Sequence, residues 1–171
     1  NVFTTYIYDD TIVDDVTYAV FRNMRVLELA ENGEHLKMWV SSAVQLDYDG
    51  LFHPKSLYQT VVKNAGYPMP FSFMGGSDKV LINDCTGANW EASANWTADA
   101  LLYLMRHENF EVVFSHFHNV DLQGHMIVKY LKGGKNLPGQ KLSEPEYNEL
   151  FEEVYLQTDR YVARYLPLLD E

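Results

Sequence analysis

The sequence predicts an α/β fold, three-layered and built on a largely parallel sheet, in which helices and strands alternate. Three observations carry that expectation. Runs rich in β-branched and aromatic residues alternate with apolar residues at helical spacing, and the connections between them are short. The best strand, Phe110 to Phe117 (FEVVFSHF), follows a helical pattern and leads into a polar loop, where α/β folds gather their ligands.

Each element has its own signal. Val2 to Tyr8 is β-prone and ends at Asp9-Asp10. Asp14 or Asp15 is placed to cap a helix running to about Asn32, with Gly33 as its stop. His35 to Ala43 reads as a strand, and Asp47-Tyr48-Asp49-Gly50 is turn chemistry. Ser56 caps a short helix carrying Leu57, Val61 and Val62, which Gly66 ends. Tyr67 to Gly76 is an extended segment feeding a loop, and Val80-Leu81-Ile82 is a short strand before the polar stretch Asn83 to Asn95. Thr97 caps a helix through His107. Asn119 to His125 is the loop past the best strand, and Lys132 to Lys141 is a basic linker. Ser143-Glu144-Pro145-Glu146 has the capping-box pattern, and Leu150, Val154, Tyr161, Tyr165 and Leu169 form the apolar stripe of the helix behind it.

Composition bounds the function. Hydrophobic residues make up 47% and charged residues 22% of the 171, the balance of a globular domain with a real core. A net charge of −11 argues against a nucleic-acid backbone or an anionic membrane as partner, although a bound cation could reverse the field locally. The single cysteine, Cys85, rules out an internal disulfide framework. No apolar run approaches the roughly 20 residues of a membrane span. The chain opens at Asn1 inside a β-prone run and stops at Glu171 straight after a helical pattern, so it reads as a single segment, 1–171, truncated at both ends.

The chemistry concentrates in Phe114 to His125 (FSHFHNVDLQGH), which holds His116, His118, Asp121 and His125 within ten residues. Neutral imidazole and ionised carboxylate together suit a borderline cation such as zinc. Asp121 and His125, four apart across Gly124, converge on one ion if the loop turns into a helical start. They are the candidate metal ligands. His118 and His116, which would share a strand face, are possible additions; the plain alternative for each is a packed strand histidine. Cys85-Thr86-Gly87 as a nucleophile turn, Gly75-Gly76-Ser77-Asp78 as a phosphate cradle and the sequon Asn95-Trp96-Thr97 are weaker signals.

Asp121-Leu122-Gln123-Gly124-His125, at the end of a strand, resembles the D-x-x-G-H signature of the alkaline phosphatase superfamily, and most closely its type I phosphodiesterase/nucleotide pyrophosphatase branch. The likeness extends to the preceding helix from Trp96, to Tyr155-Leu156-Gln157-Thr158-Asp159 through Leu166, and more weakly to Ser56–Tyr67 and Asn1-Val2-Phe3. It implies a partial alkaline-phosphatase-like catalytic domain and a metal-dependent phosphoric ester hydrolase. Two zinc ions, with manganese as a substitute, would act on a phosphodiester, pyrophosphate, phosphonate or sulfate ester. Asp121 and His125 would hold one ion, and the family setting slightly favours an extracytoplasmic location.

The family's early Asp ligand, its Thr or Ser nucleophile, the Asp-His pair after the motif and the last His have no recognisable counterpart, and Asp-His occurs nowhere in the chain. The chain alone is therefore expected to be inactive. Two other readings stay open. One is a self-contained metallohydrolase site of His118, Asp121 and His125; the other is a non-enzymatic, aromatic-rich interaction module.

Overall fold

Strand chemistry governs the first third of the chain. Val16 to Arg22 (VTYAVFR) is rich in β-branched and aromatic residues, and the two aspartates before it both take positive φ, 49° at Asp14 and 62° at Asp15. Two consecutive left-handed residues make the tight turn whose twist matches a hairpin. The computed structural model describes residues 7–70, 79, 82–131 and 138–170. It begins with β1 (Ile7–Val13) and β2 (Val16–Arg22) paired antiparallel, Val13 opposite Val16. The helix expected from Asp14 or Asp15 to Asn32 is not there: these aspartates turn a hairpin instead of capping a helix.

A second hairpin follows, β3 (Met24–Leu29) with β4 (Leu36–Val40), its register irregular between Val26 and Glu28. Gly33 sits in its connection at φ 73°, so this glycine ends a strand pair, not a helix. The short β5 (Val44–Gln45) joins the other edge of β2. The result is a three-stranded sheet in the order β1-β2-β5 and a two-stranded sheet β3-β4, every pair antiparallel.

That overturns the expected three-layer fold with a largely parallel sheet. Parallel pairing needs a crossover, usually helical, between successive strands. Among the described residues all strands precede all helices, so no such crossover exists. The sheets are tied where β2 meets β3: Asn23 N donates to Ser41 Oγ and Ser41 N to the Asn23 carbonyl, both at 2.9 Å.

Helices make up the rest. α1 (Ser56–Ala65) buries Tyr58 and Val61 and ends at Gly66 with φ 78°. Its Ser56 lies inside the first turn and makes no capping bond; Lys55 holds the cap position. A π-helical turn, Ile82–Thr86, leads into α2 (Gly87–His107). Thus Ile82 is not in a strand, Val80 and Leu81 lie outside the described residues, and the stretch expected to be polar loop is helix. Thr97 lies within α2, donating to the Ser93 carbonyl at 2.9 Å, and does not cap it. A buried stripe explains this early start: Trp90, Ala94 and Ala98 recur every fourth position and are all buried.

The segment expected to be the best strand, Phe110 to Phe117, pairs with no sheet; Phe114 is 94% exposed. α3 (Asn119–Ile127) follows where a loop was expected. α4 (Glu144–Ala163) starts as its capping box predicts, the Glu146 carboxylate accepting from Ser143 N and Oγ, each at 2.7 Å. Of the expected stripe Val154 and Tyr161 are buried, whereas Leu169 is 83% exposed in a short 3₁₀ turn, Leu166–Leu169.

The packing fixes α3. Ile127 joins Ile82, Leu142, Tyr147 and Val154 in one cluster. Ala94, Ala98 and Tyr161 form another, with Phe117 stacked on Tyr161 at 3.9 Å and 6°. Among the described residues no helix is long and apolar enough to cross a membrane.

Candidate metal centre

α3 carries the candidate ligands. His118 occupies its N-cap position, Asp121 its first turn and His125 its last. An acid near a helix N-terminus complements the macrodipole. The spacings i,i+3 and i,i+4 place all three on one face. His118 Nε2 lies 3.0 Å from Asp121 Oδ2, and His125 Nε2 lies 3.3 Å from Asp121 Oδ1. One carboxylate is thus held between two imidazoles, on a solvent-facing surface where His125 is 78% and Asp121 54% exposed.

Two buried amides hold this helix in place. Asn119 Nδ2 donates to the Trp90 carbonyl at 3.3 Å. Gln123 Nε2 donates to Gln157 Oε1 at 3.3 Å, and Gln157 Nε2 donates to the Gly87 carbonyl at 2.8 Å. That chain of amides links α3, α4 and α2 behind the exposed trio. The sequence gives no pattern for it, because a glutamine in a helix looks the same whether it faces water or a neighbouring helix.

The donor chemistry suits zinc, and the spacing is close to what an ion requires. Donors about 2.0–2.1 Å from a tetrahedral ion lie roughly 3.3–3.4 Å from one another. The arrangement is nevertheless one of imidazole–carboxylate contacts. Each imidazole nitrogen meets a different carboxylate oxygen, so the donors converge on Asp121 rather than on a common point. Among the described residues no group of three or more His, Cys, Asp or Glu is disposed to hold an ion. Seating one would require Asp121 to turn so that its oxygens and the two imidazole nitrogens face a common point.

Beside the trio there is room. A Cβ built on Gly124 would meet nothing within 4 Å, so packing does not demand glycine there. The trio also adds little to stability, since exposed ion pairs contribute at most about 1 kcal/mol.

The expected strand-end setting is not found, because Phe110 to Phe117 belongs to no sheet. His118, Asp121 and His125 come together, while His116 lies against the His118 ring, with centroids 4.1 Å apart. His116 and His118 line a cavity of about 340 Å³ with Trp90 and Thr97; His125 lines a second one of about 320 Å³.

The weaker sequence signals resolve differently. Cys85 is fully buried, and burial, partly offset by Arg25, pushes its thiol up to about 11, which removes the nucleophile such a turn would need. Asn95 of the sequon lies within α2, its Oδ1 accepting from Arg164 at 3.3 Å. Gly75-Gly76-Ser77-Asp78 lies outside the described residues. Comparison with models of protein families, with curated proteins and with solved structures yields no match to this chain.

Proposed function

We propose that this chain supplies part of a metal-dependent phosphodiesterase/nucleotide pyrophosphatase-like hydrolase, with Asp121 and His125 as two ligands of one zinc ion. The observation that carries this reading is local: Asp121 and His125 are in contact at 3.3 Å on one exposed helical face, with open space beside Gly124. The D-x-x-G-H resemblance supports it. The antiparallel sheets lend it nothing, so the reading stands on the constellation and not on the architecture.

A bound ion would supply Lewis-acid stabilisation of phosphoryl oxygens and a lowered water pKa. The chain's own contribution is to present the ligands. Asp121 orients both imidazoles through their Nε2 atoms, and the Gln123–Gln157 contact keeps α3 from shifting against α4.

One observation favours the self-contained alternative. His118 lies nearer the carboxylate than His125 does, 3.0 against 3.3 Å, so three donors rather than two are at hand. A single variant series separates the readings. Zinc affinity and turnover of an aryl phosphodiester are measured in the protein that carries this chain, with Asp121→Ala, His125→Ala, His118→Ala and His116→Ala. Loss of about 100-fold or more at Asp121 and His125, with little change at His118 and His116, fits the proposal. Equal loss at His118 moves the site to three local ligands. Undiminished turnover in Asp121→Ala overturns both.

A further inference from the structure

Beside α3, the cavity of about 320 Å³ that His125 borders has features that the proposed chemistry does not use. Its volume is at the small end of the roughly 300–1,000 Å³ range of ligand pockets. The wall is apolar: Leu122 and Met126 from α3, Leu150 from α4, and the tyrosines Tyr130 and Tyr147, stacked at 4.5 Å and 18°. Two cations border it, Lys129 and Lys141, both exposed, in a chain whose overall charge is −11. Lys129 Nζ already lies over the Tyr130 ring, 4.9 Å from its centroid.

The inner wall holds the decisive group. Thr86 is 5% exposed, lines the cavity, and its hydroxyl has no hydrogen-bond partner. Buried hydroxyls are nearly always satisfied, and a rotation about χ1 suffices to turn one toward a cavity. The site therefore has an apolar middle, a hydrogen-bonding group at its closed end and positive charge at its open end.

We propose that this cavity binds a small aromatic carboxylate bearing a hydroxyl at the end opposite its acid group. The ring lies between Leu122, Met126 and the tyrosine pair, the distal hydroxyl meets Thr86, and the carboxylate meets Lys129 and Lys141. Nothing in this assignment depends on metal binding by Asp121 and His125.

The test is titration of the full chain with three fluorescent probes: hydroxynaphthoate, naphthoate and the neutral naphthylmethanol. Saturable binding at a single site is expected, tightest for the hydroxy acid and weakest for the alcohol. Replacing both lysines (Lys129→Gln with Lys141→Gln) should weaken the two acids roughly tenfold, as two exposed charge contacts would give, and leave the alcohol unchanged. Thr86→Val should erase the difference between hydroxynaphthoate and naphthoate. Met126→Trp should fill the cavity and abolish binding. Both lysines are exposed, so their replacement keeps the test valid if the tryptophan variant misfolds. An alcohol that binds as tightly as the acids, acid binding indifferent to the lysine changes, or no saturable binding would each overturn the assignment.

Discussion

Gln157→Leu tests whether the buried amide chain is what positions the candidate centre. Gln157 is 2% exposed and makes two hydrogen bonds, one received from Gln123 and one given to the Gly87 carbonyl. Leucine fills nearly the same volume, so the cavity contribution is small and the polar loss dominates. The Gly87 carbonyl keeps its place at the start of α2 and loses only a second donor. Gln123 Nε2, on a residue 3% exposed, is left without a partner. One ordinary hydrogen bond at about 1 kcal/mol, plus a stranded buried amide at about 1–2 kcal/mol, gives a loss of about 2–3 kcal/mol. For a chain of this size that lowers Tm by about 4–12 °C.

Urea denaturation followed by circular dichroism measures the loss, and imidazole NMR signals of His118 and His125 report whether α3 moves. Changing Gln123 to Leu as well should restore about 1 kcal/mol, because two apolar groups then face each other where one orphaned amide stood. A loss below about 0.5 kcal/mol for Gln157→Leu, or unchanged imidazole signals, would refute the view that these amides hold the helix.

Two further outcomes follow from the fold and the capping box. Phe114→Asp should change stability by no more than about 0.5 kcal/mol, since Phe114 is 94% exposed, whereas burying an unpaired charge in a central strand would cost several times more; denaturant unfolding distinguishes the two. Glu146 is held down to about 2 by its hydrogen bond to Lys79 and by the Ser143 side chain and backbone N–H. Its folded-state pKa lies below the unfolded value of about 4.3, so its contribution is present above that pH and lost as pH falls toward 2. The urea midpoints of the unchanged protein and of Glu146→Gln should therefore differ near neutral pH and converge in acid.

How much of this was readable from the residues depended on how local the signal was. The capping box of Ser143 and Glu146, the stop at Gly66 and the strand around Leu36 to Val40 needed only neighbouring residues, and each appears where the sequence put it. The mistaken elements share a cause. Asp14 and Asp15 suit both a helix N-terminus and a left-handed turn, and the choice was made by pairing partners, Ile7 to Val13, on the other side of the turn. Phe110 to Phe117 has the composition of a strand but, among the described residues, pairs with no strand; strand propensity expresses fit to a sheet, and without the sheet it decides nothing.

For the site, the sequence by itself determined that Asp121 and His125 fall four residues apart, with His118 three residues before Asp121. Helical geometry then made them neighbours as soon as that stretch was helical. Only the tertiary structure decided that it is helical. Ile127 had to find Ile82 and Val154, and Gln123 had to find Gln157, contacts that reach from 27 to 45 positions along the chain. The same long-range packing set His116 against the His118 ring, left the Thr86 hydroxyl unsatisfied beside a cavity and, among the described residues, put every strand ahead of every helix with no parallel pair. Spacing along a chain specifies which side chains could meet on one element; which elements exist, and what faces them, depends on burial between residues far apart in sequence.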